Sequence, residues 1–249
     1  MEQKALFWDF DGTLTYCHHV WSSSLMRVLW DYEEAESVTL EQIRPLTHHG
    51  YPWEEPDEQA HRFRTSEGFW GYMEEKFASV FRQLGLSPQR AREAAGKVRP
   101  HILNPHHYFL YPDTLSTLQT CRSLGYQNHL LSNNYPELPA LMQALGMEGL
   151  FDTVTVSALD GCSKPWPKIF ATARQKAGNP ACCVMIGDNP VADIEGGRRA
   201  GMKTILVHRD VPCGADAVCA TLGEIPPLLS SFFNTIEKQT SGKATKRTL

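Results

Sequence analysis

The sequence predicts an α/β fold in which a doubly wound parallel sheet carries an α-helical insertion after its first strand. Five short apolar segments have the character of strands, and helical patterns separate the last four of them. Strands that alternate with helices form parallel sheets with right-handed crossovers and helices on both faces. The predicted strands lie at about 4–9, 127–131, 153–157, 182–187 and 203–207.

The helices between these strands are bounded by the residues that usually bound helices. Proline is favoured in the first turn of a helix, and glycine is favoured just past its end. One pattern opens after Pro112 and stops at Gly125, and the next one stops at Gly146. The four predicted helices of this part of the chain span 113–124, 136–145, 165–177 and 190–200.

The stretch from about 16 to 105 breaks this alternation, because it contains no convincing strand. Apolar residues repeat there at helical spacing, and Ser66 and Ser87 are candidate N-caps. An all-helical insertion directly after the first strand is expected to cover the strand ends as a mobile cap. The predicted helices lie at about 20–34, 66–85 and 88–103, with an irregular loop at 45–62.

We therefore expect two domains and a tail. Residues 1–15 and 106–233 form the predicted core domain, and residues 16–105 form the predicted helical cap domain. Residues 234–249 are polar and basic, and we expect them to form a disordered tail.

The composition excludes several classes of protein. A formal net charge of −4, with no basic block in the body of the chain, argues against a nucleic-acid partner. No apolar run approaches the length of a membrane span, so no membrane partner is expected. The first predicted strand begins too close to Met1 to leave room for a signal peptide. Seven cysteines, an odd number, favour reduced thiols and a cytoplasmic location.

The most informative segment is the end of the first predicted strand. An apolar run ends in Asp9 and Asp11, and Gly12 and Thr13 follow at once. Aspartate is almost never fully buried without a partner, so a cation or a positive side chain must lie close by. One carboxylate could be a nucleophile and the other a proton shuttle, as in enzymes that form an aspartyl-phosphate. The structural alternative is an Asx-type turn after a strand.

Polar side chains also follow the later strands. Ser132 and Asn133 end the second one, where a hydroxyl and backbone N–H groups suit an oxyanion, although a capping turn explains Ser132 equally well. Lys164 precedes a proline that opens a helix, so its ammonium group can point back to the strand ends. The fourth strand ends in Asp188, with Asp193 five residues later, and helix N-capping is the alternative for Asp188.

These side chains are expected to meet, because open parallel sheets bind ligands at the carboxyl ends of their strands. If the first and fourth strands are neighbours, Asp9, Asp11 and Asp188 converge. Three carboxylates crowd together only around a divalent cation. An all-oxygen ligand set with room for water favours magnesium, so the predicted cofactor is Mg2+.

In this order, the four segments resemble the four motifs of the haloacid dehalogenase (HAD) superfamily, in its branch with a helical cap after the first motif. The resemblance covers about residues 5–210, which is the whole predicted core. It implies a Rossmann-like core with the strand order 3-2-1-4-5. Ala192 stands where many relatives carry Asn, and Trp8 stands where a smaller or different apolar residue is common, so Trp8 is expected to pack beneath the sheet.

The resemblance also implies catalytic and phosphate-binding roles. Asp9 is implied to be the nucleophile, and Asp11 is implied to be the general acid and base. Ser132, Asn133 and Lys164 are implied to bind the phosphoryl group of the substrate.

A metal site is implied as well. Its ligands would be Asp9, Asp188 and the main-chain carbonyl of Asp11. Asp193 matches the second acid of the fourth motif and would support the metal ligands.

These roles predict magnesium-dependent hydrolysis of a small phosphorylated metabolite through an aspartyl-phosphate. A phosphosugar mutase uses the same acids and stays an alternative, as does a non-catalytic binding module with this fold. Dehalogenation is disfavoured, because it needs no protonated leaving group and would leave Asp11 and the metal site idle. A phosphonate hydrolase would need a cap lysine, and neither Lys76 nor Lys97 has a suggestive context.

The substrate and the oligomeric state are less constrained. Arg62 and Arg64 could meet a carboxylate or second phosphate of the substrate, although exposed arginines are more often only solvated. Histidine pairs at 18–19, 48–49 and 106–107 lack a third ligand at metal-binding spacing. A monomer or a homodimer is expected.

Overall fold

The computed structural model describes residues 3–55 and 60–233, so the tail predicted at 234–249 lies outside the described residues. The strands of the described part are β1 (Lys4–Trp8), β2 (Thr15–Tyr16), β3 (Phe109–Leu110), β4 (Gln127–Ser132), β5 (Thr153–Val156), β6 (Cys182–Gly187), β7 (Lys203–Val207) and β8 (Ala217–Cys219). The α-helices are α1 (Val20–Leu29), α2 (Leu40–Ile43), α3 (Ser66–Gln83), α4 (Pro88–Ala95), α5 (Arg99–Ile102), α6 (Thr114–Ser123), α7 (Leu138–Ala144), α8 (Ser157–Asp160), α9 (Pro167–Lys176) and α10 (Gly196–Arg199). A π-helical segment, Pro190–Glu195, leads into α10, and residues 225–233 are also helical.

Six parallel strands form the main sheet, in the order β5-β4-β1-β6-β7-β8. The predicted order of five strands is confirmed, because β1 lies between β4 and β6. The sixth strand, β8, pairs with β7 and was not predicted. It has only three residues and a single buried one, so it carries no clear apolar pattern.

The central strand β1 buries side chains on both faces of the sheet. Leu6 and Trp8 belong to one apolar cluster, and Ala5 and Phe7 belong to the other, where α9 packs. Burying a large apolar side chain contributes about 1.5–3 kcal/mol, so both faces stabilise the position of this strand. Trp8 is fully buried, and its indole nitrogen donates to Asn128 Oδ1 at 3.1 Å.

The insertion leaves the core after β2 and returns at β3. These two strands pair antiparallel, with Thr15 opposite Leu110 and Tyr16 opposite Phe109. Strands of two residues are too short to be predicted from an apolar pattern. The described residues between β2 and β3 contain helices and turns but no strand.

Three details of the predicted insertion helices were wrong. The helix predicted at about 20–34 ends at Leu29, and a separate 3-10 turn follows at Glu33–Ala35. The N-cap of α3 is Thr65, whose backbone is extended and whose Oγ1 accepts from Gly68 N at 3.1 Å, so Ser66 is the first helical residue instead. The helix predicted at 88–103 is broken into α4 and α5, because the N–H groups of Lys97 and Val98 bond three residues back, to Ala94 O and Ala95 O, and Pro100 has no N–H with which to bond the next carbonyl. Ser87 caps α4 as predicted.

In the parts of the chain that the structure describes, no helix combines the length and the apolar character that a membrane span requires.

Candidate active site

The loops after β1 and β6 bring Asp9, Asp11 and Asp188 together at the carboxyl ends of these two neighbouring strands. The backbone N–H of Asp9 donates to Ile186 O at 2.9 Å, which ties the loop after β1 to the neighbouring strand. Gly12 has a φ of +80°, and a Cβ there would lie 2.6 Å from the carboxyl carbon of Asp188. Only glycine allows this turn and this close approach.

Lys164 is buried between two carboxylates. Its Nζ lies 2.8 Å from Asp9 Oδ1 and 2.6 Å from Asp193 Oδ1. Burial by itself disfavours the charge, but Asp193 and Asp9 outweigh it and raise the pKa of Lys164 above its ordinary value. The lysine therefore holds a positive charge beside the predicted nucleophile.

The predicted phosphate-binding residues lie next to this lysine. Ser132 is buried at the last position of β4. The Asn133 amide brackets the main chain of Lys164, because Asn133 Nδ2 donates to Lys164 O at 2.9 Å and Lys164 N donates to Asn133 Oδ1 at 2.8 Å. The side chain of Asn133 thus positions Lys164. The phosphate-binding roles of Ser132 and Asn133 stay predictions.

Asp11 is oriented differently from Asp9. Asp11 Oδ2 accepts from Asn134 Nδ2 at 2.8 Å, and Asp11 Oδ1 accepts from Thr15 Oγ1 at 3.4 Å. Burial, with a contribution from the Asp9 charge, raises the pKa of Asp11 to about 7. Near neutral pH this carboxyl group can therefore both give and take a proton.

Three carboxylates form a cluster that could hold a cation. Asp9, Asp188 and Asp193 each offer one oxygen, and these oxygens all lie within 4.8 Å of one another. Burial and the charge of Asp9 raise the pKa of Asp188 to about 6, as expected where like charges crowd together. An all-carboxylate set of this kind fits Mg2+.

The three carboxylates of this cluster are not equally available to bind a cation. Both oxygens of Asp193 are already engaged, one by Lys164 and the other by the N–H of Asn189 at 3.0 Å. Asp193 is thus the least free of the three carboxylates, and its role in supporting the metal ligands stays a prediction. The carboxylate of Asp11 lies outside the cluster, which leaves its main-chain carbonyl as the group with which Asp11 could bind metal.

Sequence reasoning did not single out Asn134, and it also missed two residues that follow β7. Arg209 follows β7, and its Nη2 lies 2.8 Å from Asp188 Oδ2. The neighbouring residue His208 places its Nε2 3.0 Å from Thr13 O. The ring of His208 stacks on the ring of Tyr111, with 3.7 Å between the ring centres. The end of β7 was the available signal, because His208, Arg209 and Asp210 follow it directly.

The helical insertion packs against the loop that follows β4. Tyr135 is buried between the core and the insertion, with its ring centre 5.9 Å from that of Trp70. Arg64, considered as either a substrate contact or a merely solvated residue, donates from Nε to Leu159 O at 3.1 Å, and the guanidinium of Arg62 lies 5.8 Å from the ring centre of Phe63.

The lysines considered for a Schiff base also lie away from the cluster. Lys76 donates to the carbonyls of Leu46 and His49, inside the insertion, and Lys97 lies 5.1 Å from the ring centre of Tyr32.

Comparison with known proteins agrees with this architecture. A family model described as "haloacid dehalogenase-like hydrolase" matches residues 3–201. Phosphoserine phosphatase of Thermus thermophilus is 32% identical over 140 residues, which are 55% of this chain and 55% of that protein. The haloacid dehalogenase-like hydrolase domain-containing protein 3 of Mus musculus is 26% identical over 215 residues, which are 85% of this chain and 84% of that protein.

A solved structure has the same fold. The HAD-hydrolase YfnB from Bacillus subtilis has a TM-score of 0.70 at 16% identity and covers 92% of this chain and 100% of its own. The chain spans about half the length of the phosphoserine phosphatase, so that relative's substrate does not transfer directly. Because the family model covers residues 3–201, which is most of the chain, this protein belongs to the haloacid dehalogenase-like hydrolase family.

Proposed function

We propose that this protein is a magnesium-dependent phosphatase that hydrolyses a phosphate monoester of a small metabolite through an aspartyl-phosphate at Asp9. The observation that carries the proposal is the contrast between two neighbouring acids. Asp9 is paired with Lys164 at 2.8 Å, whereas Asp11 is held apart by Asn134 and has a pKa raised to about 7. One acid is thus suited to nucleophilic attack and the other to proton transfer.

The first step forms the covalent intermediate. A carboxylate oxygen of Asp9 attacks phosphorus, and the bond from phosphorus to the ester oxygen breaks. The protonated Asp11 donates its proton to the leaving alkoxide, which departs as an alcohol. Lys164 neutralises charge on the phosphoryl oxygens during the transfer, since its ammonium group lies beside Asp9.

The second step releases phosphate. Asp11, now a carboxylate, takes a proton from a water molecule, and the resulting hydroxide attacks the phosphorus of the aspartyl-phosphate. The bond from phosphorus to Asp9 breaks, so inorganic phosphate leaves and the Asp9 carboxylate is restored. Asp11 is again protonated and ready for the next substrate.

Asp9, Asp188 and the main-chain carbonyl of Asp11 would hold Mg2+, with Asp193 as support. The bound ion would neutralise charge on the phosphoryl group and orient it for in-line attack. The magnesium-bound state described for the structural neighbour YfnB supports this choice of metal.

Residues 16–105 would act as the cap and residues 1–15 and 106–233 as the core. A docked cap excludes bulk water from the aspartyl-phosphate and gates the entry of substrate. The phosphatase relative from Thermus thermophilus supports hydrolysis as the reaction class.

The test is release of inorganic phosphate from p-nitrophenyl phosphate and from a panel of phosphorylated metabolites, with and without Mg2+. The wild-type protein should release phosphate only with the metal, and Asp9→Asn should abolish release. A variant Asp9→Asn that kept full magnesium-dependent activity would overturn the proposal.

The same panel separates the alternatives. A phosphosugar mutase would convert a sugar phosphate into its isomer and release little phosphate. A binding module would bind phosphorylated ligands without turnover in any condition.

A further inference from the structure

Glu137 connects the core to the helical insertion. It precedes α7, five residues after Ser132 at the end of β4. Glu137 Oε1 accepts from Ser66 Oγ at 2.6 Å and from Arg99 Nη2 at 2.8 Å, and Glu137 Oε2 accepts from Trp70 Nε1 at 3.1 Å. Both carboxylate oxygens are therefore bonded to donors from the insertion.

The three donors also bond or pack with one another. Arg99 Nη2 donates to Ser66 Oγ at 2.7 Å, and the Arg99 guanidinium lies 5.4 Å from the ring centre of Trp70. The Glu137 side chain is 23% exposed, so water screens the ion pair only in part. Donors from α3 and α5 thus meet at one acceptor of the core.

The segment 132–137 that ends in Glu137 also reaches the catalytic acid. Asn134 Nδ2 donates to Asp11 Oδ2 at 2.8 Å. Tyr135 lies between these two anchor points, and its hydroxyl donates to the hydroxyl of Tyr108 at 2.9 Å. One short segment is therefore bonded to Asp11 near its middle and to the insertion at its end.

We infer that Glu137 is a positioning residue: it docks the helical insertion on segment 132–137 and thereby holds Asn134 and Asp11 in their catalytic arrangement. Its effect on the rate rests on the proposed phosphatase function. Its effect on docking does not.

The docking part is tested with Glu137→Gln and hydrogen exchange, in the absence of substrate. An amide keeps the shape but has only one oxygen for three donors and carries no charge. We expect the backbone amides of 132–135, of Glu137 and of the first turn of α3 to exchange about 10-fold faster, in the range expected for loss of a hydrogen bond to a charged group. Glu148→Gln, at an exposed position after α7, is the matched control and should exchange like the wild type.

The positioning part is tested by kinetics on p-nitrophenyl phosphate. We expect kcat of Glu137→Gln to fall roughly 10- to 100-fold, with KM changed less than about 3-fold, because the chemical step depends on Asp11. Ser66→Ala removes one donor and should lower kcat by a smaller factor. The losses of Ser66→Ala and Glu137→Gln should be non-additive in the double variant.

Each outcome decides one part. Unchanged exchange in Glu137→Gln overturns the docking role. Faster exchange with an unchanged kcat overturns the positioning role, and so does additivity with Ser66→Ala. If the wild type hydrolyses no phosphate ester, the proposed function and the positioning role fail together, while the exchange data still decide docking. If Glu137→Gln does not fold, hydrogen exchange and steady-state kinetics of Ser66→Ala test the docking role and the positioning role instead.

Discussion

Asn134 and Asp11 follow two neighbouring strands, and a hydrogen bond of 2.8 Å joins Asn134 Nδ2 to Asp11 Oδ2. Thr15 Oγ1 lies 3.4 Å from the other oxygen of the same carboxyl group and 3.2 Å from Phe10 O, so its single hydroxyl proton is shared between these two acceptors. These two donors fix the direction in which the Asp11 carboxyl group faces. Since Lys164 pairs with Asp9, the two acids of the first loop are oriented by different partners.

Asn134→Ala should lower kcat about 10- to 100-fold, because a hydrogen bond to a charged group contributes about 1.5–3 kcal/mol. The measurement is steady-state release of phosphate at saturating Mg2+. Asn134→Asp keeps the size of the side chain but places a second carboxylate opposite Asp11, so its activity should be at least as low. A kcat of Asn134→Ala within about 3-fold of wild type would contradict the role assigned to this amide.

Gly12→Ala should abolish measurable phosphate release, because its Cβ would lie 2.6 Å from the carboxyl carbon of Asp188 at a φ of +80°. Gly125→Ala is the matched control, since Gly125 has a φ of +86° with nothing within 4 Å. That control should lose about 1–2 kcal/mol of folding free energy from backbone strain and keep its activity. Equal activity losses in the two variants would show that strain, rather than contact with Asp188, matters.

Lys164→Met should destabilise the protein by about 3–5 kcal/mol at neutral pH in the presence of EDTA, because it leaves buried carboxylates unpaired. Urea unfolding measures the loss. The loss should shrink as the pH falls, since the unpaired carboxylates take up protons more readily in the folded state. Lys203→Met, which removes a partly exposed ion pair to Asp216, should cost about 0–1 kcal/mol.

Stability should fall on the acid side partly through His129. Burial lowers the pKa of this imidazole, whose Nδ1 lies 2.9 Å from Thr153 Oγ1 and whose Nε2 has no hydrogen-bond partner within the described residues. As the pH falls, His129 therefore takes up a proton in the unfolded chain before it does so in the folded protein. The contribution of neutral His129 to the free energy of unfolding is complete above the pKa that this residue has in the unfolded chain, and it is lost as the pH falls below that value.

The comparison is between wild type and His129→Gln in urea unfolding at pH 8 and pH 5. Between pH 8 and pH 5, the wild type should lose more of its unfolding free energy than His129→Gln loses. A difference that stays constant between the two pH values would contradict the prediction.

The order of the sheet was implied by the family resemblance, which rests on the polar groups that follow four of the predicted strands. Asp9 and Asp188 are examples, since parallel strands end at one edge and a pair of acids there is unusual in a core. Glycines and prolines located the helices in the sequence. Some helices nevertheless begin or end a few residues from the predicted positions, because local hydrogen bonds set the boundary. Thr65 rather than Ser66 caps α3, because the Ser66 hydroxyl donates to Glu137.

The contacts between distant segments could not be predicted from the sequence. Nothing in the sequence pairs Arg209 with Asp188, and nothing links Glu137 to Arg99, because such pairs depend on how loops pack in three dimensions. Asn133 and Asn134 are adjacent and chemically identical. Only the backbone geometry turns one amide towards Lys164 and the other towards Asp11.

The antiparallel pairing of β2 with β3 makes the protein modular. The chain leaves the core at Tyr16 and re-enters it at Phe109, and these two residues are paired neighbours. A short peptide between them could close the core without altering the order of the main sheet. The intervening segment can therefore be lengthened, shortened or exchanged during evolution without changing the main sheet, provided that its replacement again supplies donors to Glu137.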